Sequence, residues 1–455
     1  MTTPPPTAPP GKPRGRGTAP ADGPHHDALY RKVSWRLLPF LMLCYIFNYI
    51  DRINVSVAAL GFKQDLGFSD AVYGLGAGLF FVGFLLFELP SNLLLARDGA
   101  RRTLLRIMLL WGLVSAGTMF VRTPAQFYAA RLLLGAAEAG FFPGIILYLT
   151  YWYPARRRAT ITARFLLGLP IAGVIGGPLS GWIMERFAGI AGLAGWQWLF
   201  LLEGLPSAVL GVAAYWWLDD RPAGAAWLSS AEQSLLLEDL AEDERRKPAP
   251  AGHATLAALR DPRVYLAGSV SFTSYLMANT IAFWTPLVIR SAGVAGTFDV
   301  GALSAVPFLA GALSMTIVSR HSDRTLERRW HTSGGLATGA LGLALLPLFT
   351  SDATMAVTLL ALTAAGHYAA LAVFWTIPSA YLGSAAAAGG IGVVSTIGAL
   401  GGAVAPALLG WVKTETGSLE RGLQMLAAMV AIGAVILLVA IPAHVLREGG
   451  GQRES

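Results

Sequence analysis

Charged residues are scarce in this chain of 455 residues. Asp, Glu, Lys and Arg make up 13% of it, whereas soluble domains carry about 25%. Hydrophobic residues reach 54%, and the mean hydropathy is +0.54. These proportions exclude an ordinary soluble enzyme. The apolar residues instead form long runs, each near the roughly 20 residues that span a bilayer, so the sequence predicts a polytopic membrane protein.

Cysteine is also nearly absent, since Cys44 is the only one in the chain. A single cysteine excludes an intramolecular disulfide framework and any metal site built on thiolates. No spacing of His, Cys, Asp or Glu predicts a metal site or a nucleophile triad, and no polar segment is long enough for a catalytic domain. We therefore expect no cofactor, and a membrane-embedded enzyme is only an alternative of a different class.

The apolar runs form two groups of six. The first group lies near 35–60, 72–96, 103–121, 126–152, 159–186 and 196–218, and the second near 264–289, 299–319, 331–349, 354–382, 387–412 and 422–446. This pattern predicts an all-α membrane protein of twelve transmembrane helices in two six-helix bundles, residues 29–218 and 264–446.

The polar segments outside these bundles complete the predicted organisation. We expect a disordered cytosolic tail at 1–28, a cytosolic central loop at 219–263 and a cytosolic tail at 447–455. Within the central loop, Ser229 or Ser230 could cap a short amphipathic surface helix.

Basic residues are distributed unevenly between the two sides of these runs. Of the 34 Lys and Arg residues, we count 26 on the side of the N-terminus and 6 on the other, and Arg52 and Arg131 lie within runs. The positive-inside rule then predicts a multi-pass protein of the inner (plasma) membrane with both termini in the cytosol. The same asymmetry explains the pI of about 9.6 without nucleic-acid binding.

The two halves of the chain also repeat each other. The fifth run contains a small-residue face that recurs in the eleventh; its members are Gly173, Gly176, Gly177, Pro178 and Gly181, and then Gly398, Gly401, Gly402, Pro406 and Gly410. Such internal repeats are typical of secondary transporters. We expect these faces to pack duplicated bundles against each other.

Several local motifs resemble those of the major facilitator superfamily, and the resemblance extends from Arg31 to Arg447. The motifs are Asn48–Asn54, Glu88–Asn92, Arg131–Gly144, Gly195–Phe200 with Glu203–Pro206, Asp220–Pro222 and Trp284–Pro286. Within the superfamily, the chain resembles the anion:cation symporter family and its phthalate, tartrate and hydroxyphenylacetate permease-like branch. The resemblance implies uptake of organic anions driven by a cation gradient, usually of protons.

The resemblance also assigns a role to two basic loops. They follow the second and eighth runs and match the short loop signature of the superfamily. It implies gating contacts at five positions: Arg97, Arg101, Arg102, Asp323 and Arg324.

Asp51, Arg52, Arg131 and Glu138 are ionisable residues inside the apolar runs of the first half whose buried charge requires a reason. Asp51 and Arg52 lie roughly 24 Å from the cytosolic end of the first helix, and Arg131 lies roughly 8 Å from the outer end of the fourth. In a core about 30 Å thick these depths coincide, so an ion pair between Asp51 and Arg131 is geometrically allowed. Glu138 follows Arg131 by two turns, within reach of the long Arg52 side chain.

These four residues predict the transport chemistry. The guanidinium groups of Arg52 and Arg131 suit an anionic substrate, because the planar fork matches a carboxylate and keeps its charge. Glu138 is the main candidate for the coupled proton, and Asp51 is its companion. The alternative is that the two pairs only hold helices together, although buried ion pairs stabilise less well than apolar packing.

Other side chains could line the wall of the substrate cavity. They are Tyr49, Trp284, Tyr368, Trp375 and Thr376. Glu88, Glu203 and His367 are more readily explained as helix-contact residues. We therefore predict a monomeric importer of a small organic acid, driven by protons in the lipid bilayer. A proton-coupled exporter of organic anions or drugs is the alternative.

Overall fold

The computed structural model describes residues 24–245, 259–381 and 383–441. The first half contains α1 (Pro24–Leu66), α2 (Asp70–Asp98), α3 (Ala100–Gly117), α4 (Pro124–Glu138), α5 (Phe141–Thr150), α6 (Ala155–Leu166), α7 (Gly168–Arg186) and α8 (Gly195–Trp217). A surface helix follows, α9 (Ser230–Arg245). The second half contains α10 (Pro262–Ser291), α11 (Thr297–Thr325), α12 (Arg329–Leu345), α13 (Ala353–Phe374), α14 (Thr376–Tyr381), α15 (Gly383–Thr416) and α16 (Leu419–Ala440).

Twelve helical segments in the described part of the chain are long and apolar enough to cross a bilayer. They confirm the predicted all-α fold of twelve transmembrane helices. The first helix is longer than predicted, because it begins at Pro24 and makes residues 24–28 helical. The rest of the predicted N-terminal tail and the whole predicted C-terminal tail lie outside the described residues.

Several of these helices begin with a side chain that caps the first turn. Ser69 accepts a hydrogen bond from the Val72 amide at the start of α2. Thr123 and Gln126 form a reciprocal capping box at the start of α4, with Pro124 in the first turn. Such caps satisfy amide groups that the first helical turn leaves without partners, so they define where each helix begins.

Among the described residues, three of the segments long enough to span a membrane have an interruption in their helical hydrogen bonding. The fourth is broken after Glu138, where Gly140 adopts a left-handed backbone (φ 84°) that glycine tolerates best. The fifth and tenth segments divide at Leu167 and Trp375. Broken helices in transporters are found where non-helical backbone lies next to a binding site or cavity. The interruption in the fourth segment directly follows the buried carboxyl of Glu138, which points to a binding site at this depth.

The glycine-rich faces join the two bundles, as the repeat predicts. In one contact α7 packs on α11, with Gly177 against the carbonyl of Gly301. In the other α2 packs on α15, where Gly74 lies so close to the Pro406 carbonyl that a β-carbon would collide with it. Small residues allow this backbone approach between membrane helices.

The bundles are closed together at one end. We call the face where α1 begins, and where the loops after α2, α5 and α11 lie, the basic face. At the opposite face the Tyr73 hydroxyl donates to the Phe283 carbonyl at 2.5 Å, and Lys413 pairs with Asp70 at 3.3 Å. Both contacts link the first half to the second, so they hold the opposite face shut.

The surface helix α9 lies against the basic face of the first half. Ser229 caps it, as the sequence predicts, by accepting from the Glu232 amide while the Glu232 carboxylate accepts from the Ser229 amide. Lys32 of α1 also donates to Glu232, and this bond lowers the pKa of the carboxyl below its usual range. Asp239 accepts from the Tyr30 hydroxyl and pairs with Arg156. These contacts tie the central loop to α1 and α6.

Candidate functional site

A buried ion pair joins α1 to the end of α4. The guanidinium of Arg52 donates through Nε at 3.0 Å and through Nη2 to the same oxygen of Glu138, Oε1. Glu138 is completely buried, whereas 24% of the Arg52 side chain remains exposed. The expected approach of these two residues is confirmed. The pair therefore has one member that reaches solvent and one that does not.

The second oxygen of this carboxylate is not used. Glu138 Oε2 is buried and has no hydrogen-bond partner among the described residues. Glu138 is the last residue of α4, and the helix is interrupted immediately after it, so the regular helical backbone does not continue past this carboxyl. A buried acceptor without a partner is costly, so this oxygen is a position where a proton or a donor could be accommodated.

The ion pair between Asp51 and Arg131 that the depths allow does not form in the structure. Asp51 turns away from Arg131 into the first bundle, where it accepts from Trp111 Nε1 at 2.6 Å, Ser115 Oγ at 2.9 Å and Ser207 Oγ at 2.8 Å. The physical reason is the helical repeat: residues 51 and 52 differ by about 100° around the axis. Equal depth in the membrane therefore did not place the Asp51 carboxylate on the Arg131 side of α1.

The Arg131 guanidinium is buried without a hydrogen-bonded partner. Only 1% of the residue is exposed, and none of its three side-chain nitrogens has an acceptor among the described residues. The Phe80 ring lies 5.1 Å from this group and 5.2 Å from the Arg52 guanidinium, so one aromatic ring contacts both cations. A cation–π contact of this kind offsets part of the cost of a buried charge. The site thus carries more positive than negative charge around Phe80.

A second carboxyl lies near Asp51 in the core of the first bundle. Glu203 is buried and accepts from the Ser180 hydroxyl at 2.8 Å, while Asn54 donates to Asp51 at 3.3 Å. The Ser180–Glu203 bond connects α7 to α8, and the Ser207–Asp51 bond connects α8 to α1. They agree with the interpretation of Glu203 as a helix-contact residue.

Of the predicted wall residues, two tyrosines meet close to the site. Tyr49 is half-buried on α1, one turn before Arg52, and lies within electrostatic reach of Tyr368 on α13. Its ring also meets Phe308 of α11 edge-on at 6.3 Å. The two halves of the chain therefore contact each other directly beside Arg52.

The other predicted wall residues are divided between two locations. Trp284 is completely buried at the closed opposite face, where its ring meets Tyr73 at 5.7 Å, so its expected place on the cavity wall is wrong for this conformation. Trp375 is half-buried and Thr376 is exposed, at the break between α13 and α14. His367 is buried against Ser274, at 3.3 Å, as a packing residue would be.

Three aromatic residues around Arg52 were not predicted from the sequence. Phe80 and Phe84 of α2 lie under its guanidinium at 5.2 and 5.7 Å, one helical turn apart. Tyr275 of α10 lies within electrostatic reach of Arg52. The i, i+4 spacing of the two phenylalanines was the available signal, but an aromatic pair in an apolar helix is usually packing.

The five loop residues with implied gating roles are all near the basic face. Arg101 donates to the Tyr215 carbonyl, and its amide donates to Asp220, so its contacts stay within the first half. Asp323 pairs with Arg328 inside its own loop at 2.7 Å. Arg97, Arg102 and Arg324 are exposed. The contacts of Arg101 and Asp323 thus do not bridge the halves in this conformation.

Comparison with known proteins agrees with this architecture. The family model described as Major Facilitator Superfamily matches residues 41–406. A bacterial homologue of the human lysosomal transporter Spinster, solved in an inward-facing and unoccupied conformation, has a TM-score of 0.69 at 18% identity and covers 92% of this chain and 97% of its own. At that identity the likeness supports the fold alone.

Closer relatives are known by sequence. A protein named metabolite transport protein NicT from Pseudomonas putida is 45% identical over 92% of this chain and 95% of its own length. A protein named tartrate transporter from Agrobacterium vitis is 44% identical over 90% and 94%. A quinolone resistance transporter from Acinetobacter baumannii is 39% identical over 90% and 94%.

The relatives and the fold agree on one family. The names of the first two relatives are consistent with the anion:cation symporter-like branch. The family is one of transporters and not of enzymes, which removes the alternative of a membrane-embedded enzyme. The chain belongs to the major facilitator superfamily of membrane transporters.

Proposed function

We propose that this protein imports a small organic carboxylate together with protons, by alternating access across the inner membrane. Arg52 is the main contact to the substrate carboxylate, and Arg131 supports the charge of the site. Glu138 carries the coupled proton, with Asp51 as a companion of lesser weight. The surrounding aromatic and polar side chains, Tyr49, Tyr368, Trp375 and Thr376, contribute to the cavity wall.

The observation that carries this proposal is the asymmetry of the Arg52–Glu138 pair. Arg52 is exposed to the extent of 24%, but its donors are occupied by a fully buried carboxylate with one unused oxygen. Protonation of Glu138 removes the negative charge that holds Arg52, and the guanidinium is then free to bind a carboxylate from the cavity. The substrate and the proton therefore favour each other's binding, as symport requires.

The expected ratio of protons to substrate follows from the net charge of the site. Charges at mid-membrane depth are costly, so the site favours states in which its net charge is unchanged. A substrate carboxylate adds one negative charge, and a proton on Glu138 offsets it. We expect one proton for each monovalent anion. Asp51 already accepts from four donors, which leaves less room for a second proton there than at Glu138.

The orientation in the membrane is part of the same proposal. If the basic face is cytosolic, the closed opposite face makes this conformation inward-facing, with Arg52 open to the cytosol. A reporter fused within the central loop, residues 219–263, should then report a cytosolic location. A periplasmic signal from that fusion would reverse the orientation and the direction of the cycle.

Proteoliposomes test the function directly. The purified protein should accumulate tartrate or another small organic acid when the pH is lower on the uptake side, and the matching uncharged amide should neither be transported nor compete. Glu138→Gln should abolish accumulation driven by the pH gradient while exchange between equal compartments continues, because the amide mimics the protonated acid. Glu415→Gln, at an exposed position of the opposite face, is the matched control and should transport normally.

The exporter remains a second candidate, because a relative at 39% identity is named a quinolone resistance transporter. The direction of net flux separates the two. Vesicles of both orientations should show accumulation of the acid on the side of the basic face. Proton-driven expulsion of the acid away from that face would replace the importer with the exporter.

A further inference from the structure

A groove of about 800 Å³ lies between α1 and α6 at the basic face, far from the Arg52 site. Arg31, Ser34 and Trp35 line it from α1, and Tyr153 and Arg164 line it from the other side. The Ser34 and Tyr153 hydroxyls are hydrogen-bonded to each other at 3.1 Å. The groove therefore has a polar floor and cationic rims.

The positive charge of the groove is only partly compensated. Four arginines line it, and two of them have acidic partners: Arg157 pairs with Asp27 at 2.7 Å, and Arg156 pairs with Asp239 of α9 at 3.1 Å. The guanidinium groups of Arg31 and Arg164 form no ion pair or hydrogen bond with any of the described residues. The groove thus presents two uncompensated guanidinium groups to whatever enters it.

Exposed apolar side chains continue from the groove along α1 and from the end of α6 onto α7. On α1, Trp35 (75% exposed) is followed two turns later by Leu43. On the other wall, Leu167, Ile171 and Ile175 form an exposed stripe at helical spacing, in line with Arg164. In a bilayer these stripes face acyl chains, and an exposed tryptophan at a helix start is typical of the headgroup boundary.

We propose that this groove is a binding site for an anionic phospholipid. Arg31 and Arg164 bind the headgroup phosphate, the Ser34 and Tyr153 hydroxyls offer it hydrogen bonds, and the acyl chains lie along the Leu43 and Ile171 stripes. Basic pockets at the ends of membrane helices recognise anionic headgroups in this way. The apolar stripes distinguish a lipid from a soluble phosphate, which would use only the cationic rim.

Native mass spectrometry of the full-length protein in detergent tests the proposal. On titration with dioleoylphosphatidylglycerol and, separately, dioleoylphosphatidylcholine, the first bound lipid should be strongly selected for the anionic headgroup. The double variant R31Q/R164Q should weaken that first phosphatidylglycerol site by roughly 30-fold, as two surface cations lost would predict. The charge-preserving R31K/R164K should retain most of the affinity, which controls for damage to the fold.

The matched control is R260Q/R320Q, which removes two exposed charges from the basic face of the second half and should leave the first site unchanged. Brominated phosphatidylglycerol tests the location of the bound lipid, because bromine quenches the fluorescence of a nearby tryptophan. It should quench the fluorescence of Trp35, and this quenched component should be absent from Trp35→Phe. Equal loss of lipid in R31Q/R164Q and R260Q/R320Q would overturn the site, and so would absence of selectivity in the parent. If millimolar inorganic phosphate displaces the lipid from the groove completely, the site is one for soluble anions and the lipid assignment is wrong.

Discussion

Replacement of Arg52 by lysine separates the charge of this residue from its geometry. In the structure the guanidinium donates through two nitrogens to one carboxylate oxygen and lies over the rings of Phe80 and Phe84. Lysine keeps the positive charge but has a compact ammonium in place of the planar fork. In the lysine variant, a substrate carboxylate bound in place of Glu138 would therefore lose one of the two hydrogen bonds that the guanidinium donates. The variant would also lose part of the contact between this side chain and the two phenylalanine rings.

The size of the effect follows from those losses. A hydrogen bond to a charged group contributes about 1.5–3 kcal/mol. Because about 1.4 kcal/mol corresponds to a tenfold change in affinity, Arg52→Lys should weaken substrate binding by roughly 10- to 100-fold. A role of Arg52 as a mere source of positive charge predicts nearly unchanged affinity.

Calorimetric titration of the purified variant with benzoate-type, tartrate-type and sugar-acid ligands, and with their uncharged amides, measures this difference. The control is Arg36→Lys on the same helix, because Arg36 also stacks on a ring, that of Trp217 at 3.7 Å, and donates to a carbonyl, yet lies outside the site. It should bind like the parent. The anion-binding role of Arg52 is refuted if Arg52→Lys binds within twofold of the parent or if the amides compete as well as the acids.

Two further predictions concern the closed face and the surface helix. Gly301→Leu should separate α7 from α11 and speed the labelling of a cysteine introduced at the opposite face. Cys44 is buried and should not react, so it gives no background. Gly334→Leu is the control, because Gly334 faces open space, and equal labelling of both variants would contradict the packing argument. Asp239→Asn removes the ionised partner of Tyr30 and Arg156, so amide hydrogen exchange in α9 should rise about fivefold, the effect of roughly 1 kcal/mol. Glu238→Gln, at an exposed position of the same helix, should leave exchange unchanged, and a faster exchange there would point to a general charge effect.

The sequence by itself determined the membrane architecture of this protein. Long apolar runs predicted twelve spans, and the glycine faces around Gly177 and Pro406 predicted the two contacts between bundles. Depth along a helix is also readable, because each residue advances about 1.5 Å along the axis. That sufficed to bring Arg52 to Glu138. These properties depend on composition and on distance along one helix, which neighbouring helices do not change.

Only the tertiary structure decided which way the buried side chains face. Asp51 lies at the depth of Arg131 but bonds to Trp111 and two serines, and Trp284 is buried in the closed face instead of the cavity wall. The rotation of a helix about its axis depends on all its neighbours, and a hydrophobic helix carries little amphipathic pattern to reveal it. For the same reason the uncompensated charge of Arg31 and Arg164 emerged only once α1 and α6 were packed side by side with α9 occupying the neighbouring arginines.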